Sequence, residues 1–269
     1  MTAAEVLLRR DRLVVVVCLS IICLLSWYYL LAGAATGMNM WAMISAEFPL
    51  PVYPARAAWW SAEYWLLMLV MWWVMMIAMM LPSAAPMVLL YARVQRHNWQ
   101  RAGTVDALVP TMTFVAGYLA CWLLFSVLAT GLQWALQQLG LVHDMLMWSN
   151  SHLLSGLFLL LAGIYQFSPL KVACLNHCRN PADFLSRHWR SGQLGALCLG
   201  WLHGIYCVGC CWVLMLLLFV GGVMNLLWIA ALAVVVLLEK LMPRGEWLAR
   251  AFGVLMLAAG ARLLLVELL

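Results

Sequence analysis

Charge is what this sequence has least of. Lys and Arg number 15 and Asp and Glu 10, together 9% of 269 residues, against roughly 25% in a soluble globular chain. No polar stretch is long enough to fold separately, so residues 1–269 read as one integral membrane domain. There is no Gly-rich phosphate loop, no HExxH and no CxxCH, which removes the sequence basis for a nucleotide-binding, zinc-protease or c-type haem protein. The scarcity of carboxylates argues against a pump driven through acidic proton relays. An enzyme is therefore the less favoured class. The net charge of +5 is no nucleic-acid signal, because the basic residues stand at the ends of apolar runs, where membrane orientation accounts for them.

What is abundant is apolar sequence, 67% of the chain. Runs of about 20 apolar residues recur throughout, which predicts an all-α, polytopic transmembrane helical bundle embedded in the lipid bilayer. The expected spans are seven: 13–33, 64–90, 107–137, 152–169, 194–219, 222–241 and 247–266. Leu13 to Gly33 is longer than a signal-peptide core of about 7–15 residues and reads as a retained span. Lys and Arg concentrate at the N-terminus (Arg9, Arg10, Arg12) and after the second, fourth and sixth spans. The positive-inside rule then puts the N-terminus in the cytoplasm.

Soft donors follow the same map. Six of the nine cysteines fall between Leu170 and Met215. In span five, at about 100° per residue, His203, Cys207 and Cys210 share one stripe and Cys211 borders it, while Cys198 points elsewhere. Gly200 and Gly204 beside the stripe invite close approach of another helix. The preceding segment, 170–193, reads as a polar Cys/His loop. Its Cys174, His177 and Cys178 close on one ion if the segment forms a helical turn. In span two, Met68, Met71, Met75 and Met79 make one helical face, with Met76 and Met80 alongside and Pro82 as a kink. Thiolate, imidazole and thioether are the donors of a thiophilic metal. Met38, Met40, Met43, Met145 and Met147 fall in the expected external segments, and the cysteines towards the reducing side. That division favours Cu(I), with zinc the alternative ion. The competing account of any one methionine is gap-filling between helices.

These motifs also carry a resemblance. Met75-Met76-x-Ala78-Met79-Met80-Leu81-Pro82, Ala162 to Lys171, Cys174-x3-Cys178-Arg179-x-Pro181, Gly204-x-Tyr206-Cys207-x-Gly209-Cys210-Cys211-Trp212, Met224-Asn225 and Glu239-Lys240 resemble a bacterial family of predicted metal-binding integral membrane proteins of unknown function, sometimes labelled copper chaperone. The resemblance spans about 65–265. It implies a multi-pass protein of the bacterial inner membrane that handles metal, without supplying a mechanism. Three functions fit: a membrane copper chaperone or transporter working with a metal-donor or metal-acceptor protein, a thiol–disulfide oxidoreductase using Cys207, Cys210 and Cys211, and an accessory subunit of a larger membrane complex.

Overall fold

The computed structural model describes residues 3–34, 60–102, 108–143 and 147–268. Met38, Met40, Met43 and Met145 lie outside the described residues. Regular structure among the described residues is helical, with Val142 and Ser149 forming an isolated bridge. The helices are α1 (Ala3–Leu31), α2 (Ala62–Ala102), α3 (Leu108–Gln138), α4 (His152–Gln166), α5 (Pro169–Arg179), α6 (Pro181–His188), α7 (Gly192–Leu216), the single turn α8 (Leu218–Gly221), α9 (Leu226–Leu241) and α10 (Gly245–Leu268).

Five of these are long and apolar enough to cross a membrane: α1, α2, α3, α7 continued through α8, and α10. A sixth crossing arises if α4 and α5, bent by 65° at their junction, form one broken span. The expected span 222–241 is α9, whose 16 residues measure about 24 Å, short of a hydrocarbon core of about 30 Å. Helix α2 is the opposite case: its 41 residues reach about 60 Å. It runs on through Pro82 and Pro86. The Ala78 carbonyl, which Pro82 cannot serve, faces the Cys23 thiol at 3.8 Å.

The segment 170–193 is not a loop. Ser168 caps α5 by accepting from the Lys171 N–H, with Pro169 at the first helical position, and Pro181 opens α6 in the same way. Proline at a first helical position loses no intrahelical bond and presets φ, so two short helices form where polarity alone suggests irregular chain. Phe184 and Leu185 of α6 are buried.

Two helix pairs pack along most of their lengths, α3 with α7 and α4 with α10. Small residues allow this, as the Gly200/Gly204 spacing predicts. A side chain at Gly200 would overlap the Phe114 carbonyl, and one at Gly117 the Leu197 carbonyl. On the other pair, a Cβ at Gly260 would meet the Gly156 carbonyl at 2.9 Å. Helix α2 packs against α1, α3 and α9, and α5 against α7. The stretch from Met147 to Ser149 docks on the end of α8, with the Ser149 N–H bonded to the Phe219 carbonyl at 2.7 Å. Asn225 is the N-cap of α9 and accepts from the Trp228 N–H at 3.1 Å.

Candidate metal centre

The α7 stripe is fully interior. His203, Cys207, Cys210 and Cys211 are buried, and Cys198 is exposed, as the helical period requires. Cys198 lines a groove of about 560 Å³ with Gly117, Trp189 and Trp201, and none of the buried cysteines opens into it. The Cys210 and Cys211 thiols both donate back to the Cys207 carbonyl, at 3.1 and 3.0 Å. The Cys207 sulfur has two partners from other helices. Lys240 Nζ of α9 lies 2.9 Å away, and the Tyr118 hydroxyl of α3 lies 3.1 Å away. The same ammonium reaches Ser83 Oγ at 3.1 Å, and Tyr118 also donates to the Met80 carbonyl at 3.3 Å.

The methionine face of α2 meets the same thiols. Met68, Met71, Met75, Met76, Met79 and Met80 are all at most 1% exposed. Met80 Sδ is 3.8 Å from Cys211 Sγ, so thioether and thiol touch. At the other end of the stripe, the buried Gln133 amide donates to Met68 Sδ at 3.4 Å and to Met147 Sδ at 3.3 Å. Its oxygen accepts from Trp72 Nε1 at 2.7 Å. Met68 and Met80 are separated by about 18 Å along the helix axis.

Helix α5 brings its cysteines to the same place. Cys178 lies within electrostatic reach of Cys210. Cys174 packs on Gly209, where a Cβ would sit 2.8 Å from its sulfur. Two clusters that are separate in sequence thus form one thiol patch. His177 lies flat on Tyr206, ring centroids 4.3 Å apart, and its Nδ1 is 2.8 Å from the Ala173 carbonyl. His203 stacks on Phe114 and Tyr118, with Phe184 edge-on. Its Nδ1 is buried and, among the described residues, has no hydrogen-bond partner. Buried polar atoms are normally satisfied, and an exception points to function or to an absent ligand. All nine cysteines are free. Among the described residues no three His, Cys, Asp or Glu side chains converge as a ready metal cage. Cys174, His177 and Cys178 therefore do not close on one ion as they stand.

Several contacts of the centre escape the sequence reading. Glu239 and Lys240, adjacent in sequence, take different partners. Glu239 binds Lys171 at 2.7 Å and Gln166 at 3.0 Å, while Lys240 turns to Cys207. Tyr118 and Ser83 carry no local signal at all. Tyr165 donates to the Gly209 carbonyl. Gln166 supports the Lys171–Glu239 pair.

Fold and site together define an all-helical protein of membrane-spanning character, closed over a buried thiol–thioether centre. Its family is now identifiable: the chain belongs to the family described as copper chaperone (PpoB2), whose model matches residues 69–263. That interval takes in α2 from Leu69 onward and every residue of the centre except Met68. No curated protein and no solved structure matches the chain.

Proposed function

We propose that the protein holds Cu(I) as cargo inside the bilayer and passes it between the methionine face of α2 and the cysteines of α7. The observation that carries this reading is the 3.8 Å contact of Cys211 Sγ with Met80 Sδ, beside the Lys240-held sulfur of Cys207. Cu(I) accepts few ligands and prefers sulfur, so it does not need the three-residue cage a zinc site would. Cys207, Cys211 and Met80 are the first donors, with a small rotation of the Cys211 thiol off the Cys207 carbonyl. Cys210, Cys178 and Cys174 offer the next three sulfurs towards α5. Met68, Met71, Met75 and Met79 form the thioether path. His203 supplies the unpartnered Nδ1, and His177 borders the thiol patch at Tyr206. The family description, copper chaperone, supports the same metal.

The positive-inside pattern supports a cytoplasmic N-terminus in a bacterial inner membrane, and the reading includes a protein donor or acceptor for copper on at least one face. Elemental analysis of the full chain, purified anaerobically in detergent, tests the reading. We expect copper near one equivalent in wild type and in Cys18→Ser. We expect it to be lost in Cys207→Ser/Cys210→Ser. Equal metal in wild type and the double variant overturns the reading, and zinc instead of copper removes the thioether argument.

The thiol–disulfide reading has one observation in its favour, the approach of Cys178 on α5 to Cys210 on α7. A redox-dependent gel shift after thiol alkylation, lost on Cys178→Ser, is its signature.

A further inference from the structure

Among the described residues the buried charged side chains are Lys171, Glu239 and Lys240. Lys171 and Glu239 neutralise each other at 2.7 Å. Lys240 has no carboxylate. Its contacts are Ser83 Oγ and Cys207 Sγ, and the thiols of Cys178, Cys210 and Cys211 lie within its electrostatic reach. An uncompensated charge in a low-dielectric interior is strongly unfavourable. The thiolate of Cys207 is the counter-charge that this geometry supplies.

From this arrangement we infer that Lys240 is the specificity-determining residue of the centre: its fixed positive charge beside Cys207 restricts the site to monovalent soft cations. This inference rests on the reading above and deepens it. The reasoning is charge arithmetic. One monovalent ion and one ammonium are balanced by the thiolates of Cys207 and Cys211. A divalent ion on the same two sulfurs leaves one positive charge over, a few ångströms from an ammonium and away from water. Softness alone does not make this distinction, since Zn(II) and Cd(II) also bind thiolates. Lys240 touches no substrate atom in this role; it acts through the field at Cys207. Its position is fixed by Ser83, one residue past Pro82, and by the end of α9.

Ag(I) and Cd(II) isolate the effect, because both are closed-shell thiophilic ions and differ in charge. The experiment is chelator-competition binding of each ion to the full chain in detergent, read by thiolate-to-metal charge-transfer absorption. Wild type binds Ag(I) and discriminates against Cd(II). Lys240→Gln gains Cd(II) affinity by roughly 100-fold, the scale of one extra unit charge at contact distance in a partly screened interior, with a much smaller change for Ag(I). Lys240→Arg keeps the wild-type preference. Cd(II) bound by wild type as tightly as by Lys240→Gln overturns the inference while leaving the copper reading intact. If Lys240→Gln does not fold, wild type alone decides: Cd(II) held through thiolates as tightly as Ag(I) is the overturning result. A wild type that binds neither ion removes the copper reading and the inference with it.

Discussion

Lys171 on α5 and Glu239 on α9 are 68 residues apart in sequence and form a 2.7 Å ion pair with both side chains 2% exposed. The pair fastens the short helix carrying Cys174 and Cys178 to the helix carrying Lys240. Gln166, at the end of α4, completes the carboxylate's hydrogen bonds, so the bend between α4 and α5 is held by the same contact. Removing one member strands a buried charge. We predict that Lys171→Met destabilises the protein by about 3–5 kcal/mol, seen as a lower melting temperature in detergent. Lys171→Met/Glu239→Gln should recover much of that loss. An unchanged melting temperature in the single variant contradicts the assignment.

The α3–α7 seam gives a prediction of opposite signs. Gly131 lies on α3 with open space where a Cβ would be. Gly131→Ala should stabilise by about 0.5–1 kcal/mol through helix propensity alone. Gly200→Ala drives a methyl into the Phe114 carbonyl and should destabilise by at least about 1–3 kcal/mol, because backbone on both sides resists repacking. It should also disturb the centre, since α7 carries every cysteine of the stripe. Thermal denaturation of the two variants side by side is the check.

His203 separates packing from ligation. Its ring is enclosed by Phe114, Tyr118 and Phe184, and its Nδ1 is buried without a partner. Replacement by Phe fills the cage and removes an unsatisfied polar atom, a change that is nearly neutral or stabilising. We predict that His203→Phe melts no lower than wild type and binds Cu(I) more weakly. Unchanged Cu(I) affinity in a well-folded variant would make the imidazole a packing residue only.

The local half of this site was legible in the sequence. A 3.6-residue period places His203, Cys207 and Cys210 on one face and aligns the methionines of α2. Gly200 and Gly204 announce a close helix contact. Each of these signals lies within a few turns of one helix. What was hidden is what folding joins. Nothing local connects Cys178 to Cys210, Lys240 to Cys207, or Gln133 to Met68 and Met147. The separate partners of Glu239 and Lys240 are not local information either, because successive helical residues point about 100° apart and meet different neighbours. The 170–193 segment was misread because its polarity outweighed the two prolines that start α5 and α6. The crossing count shifts for a related reason: hydropathy does not register the bend after Gln166 or the late start of α9 at its Asn225 cap.

The most direct test is X-ray absorption at the copper edge on protein loaded with Cu(I), wild type against Cys207→Ser/Cys211→Ser. The account predicts a low-coordinate shell dominated by sulfur in wild type, which loses sulfur or loses copper altogether in the variant. A shell of nitrogen and oxygen only, or a sulfur shell identical in both proteins, would contradict it.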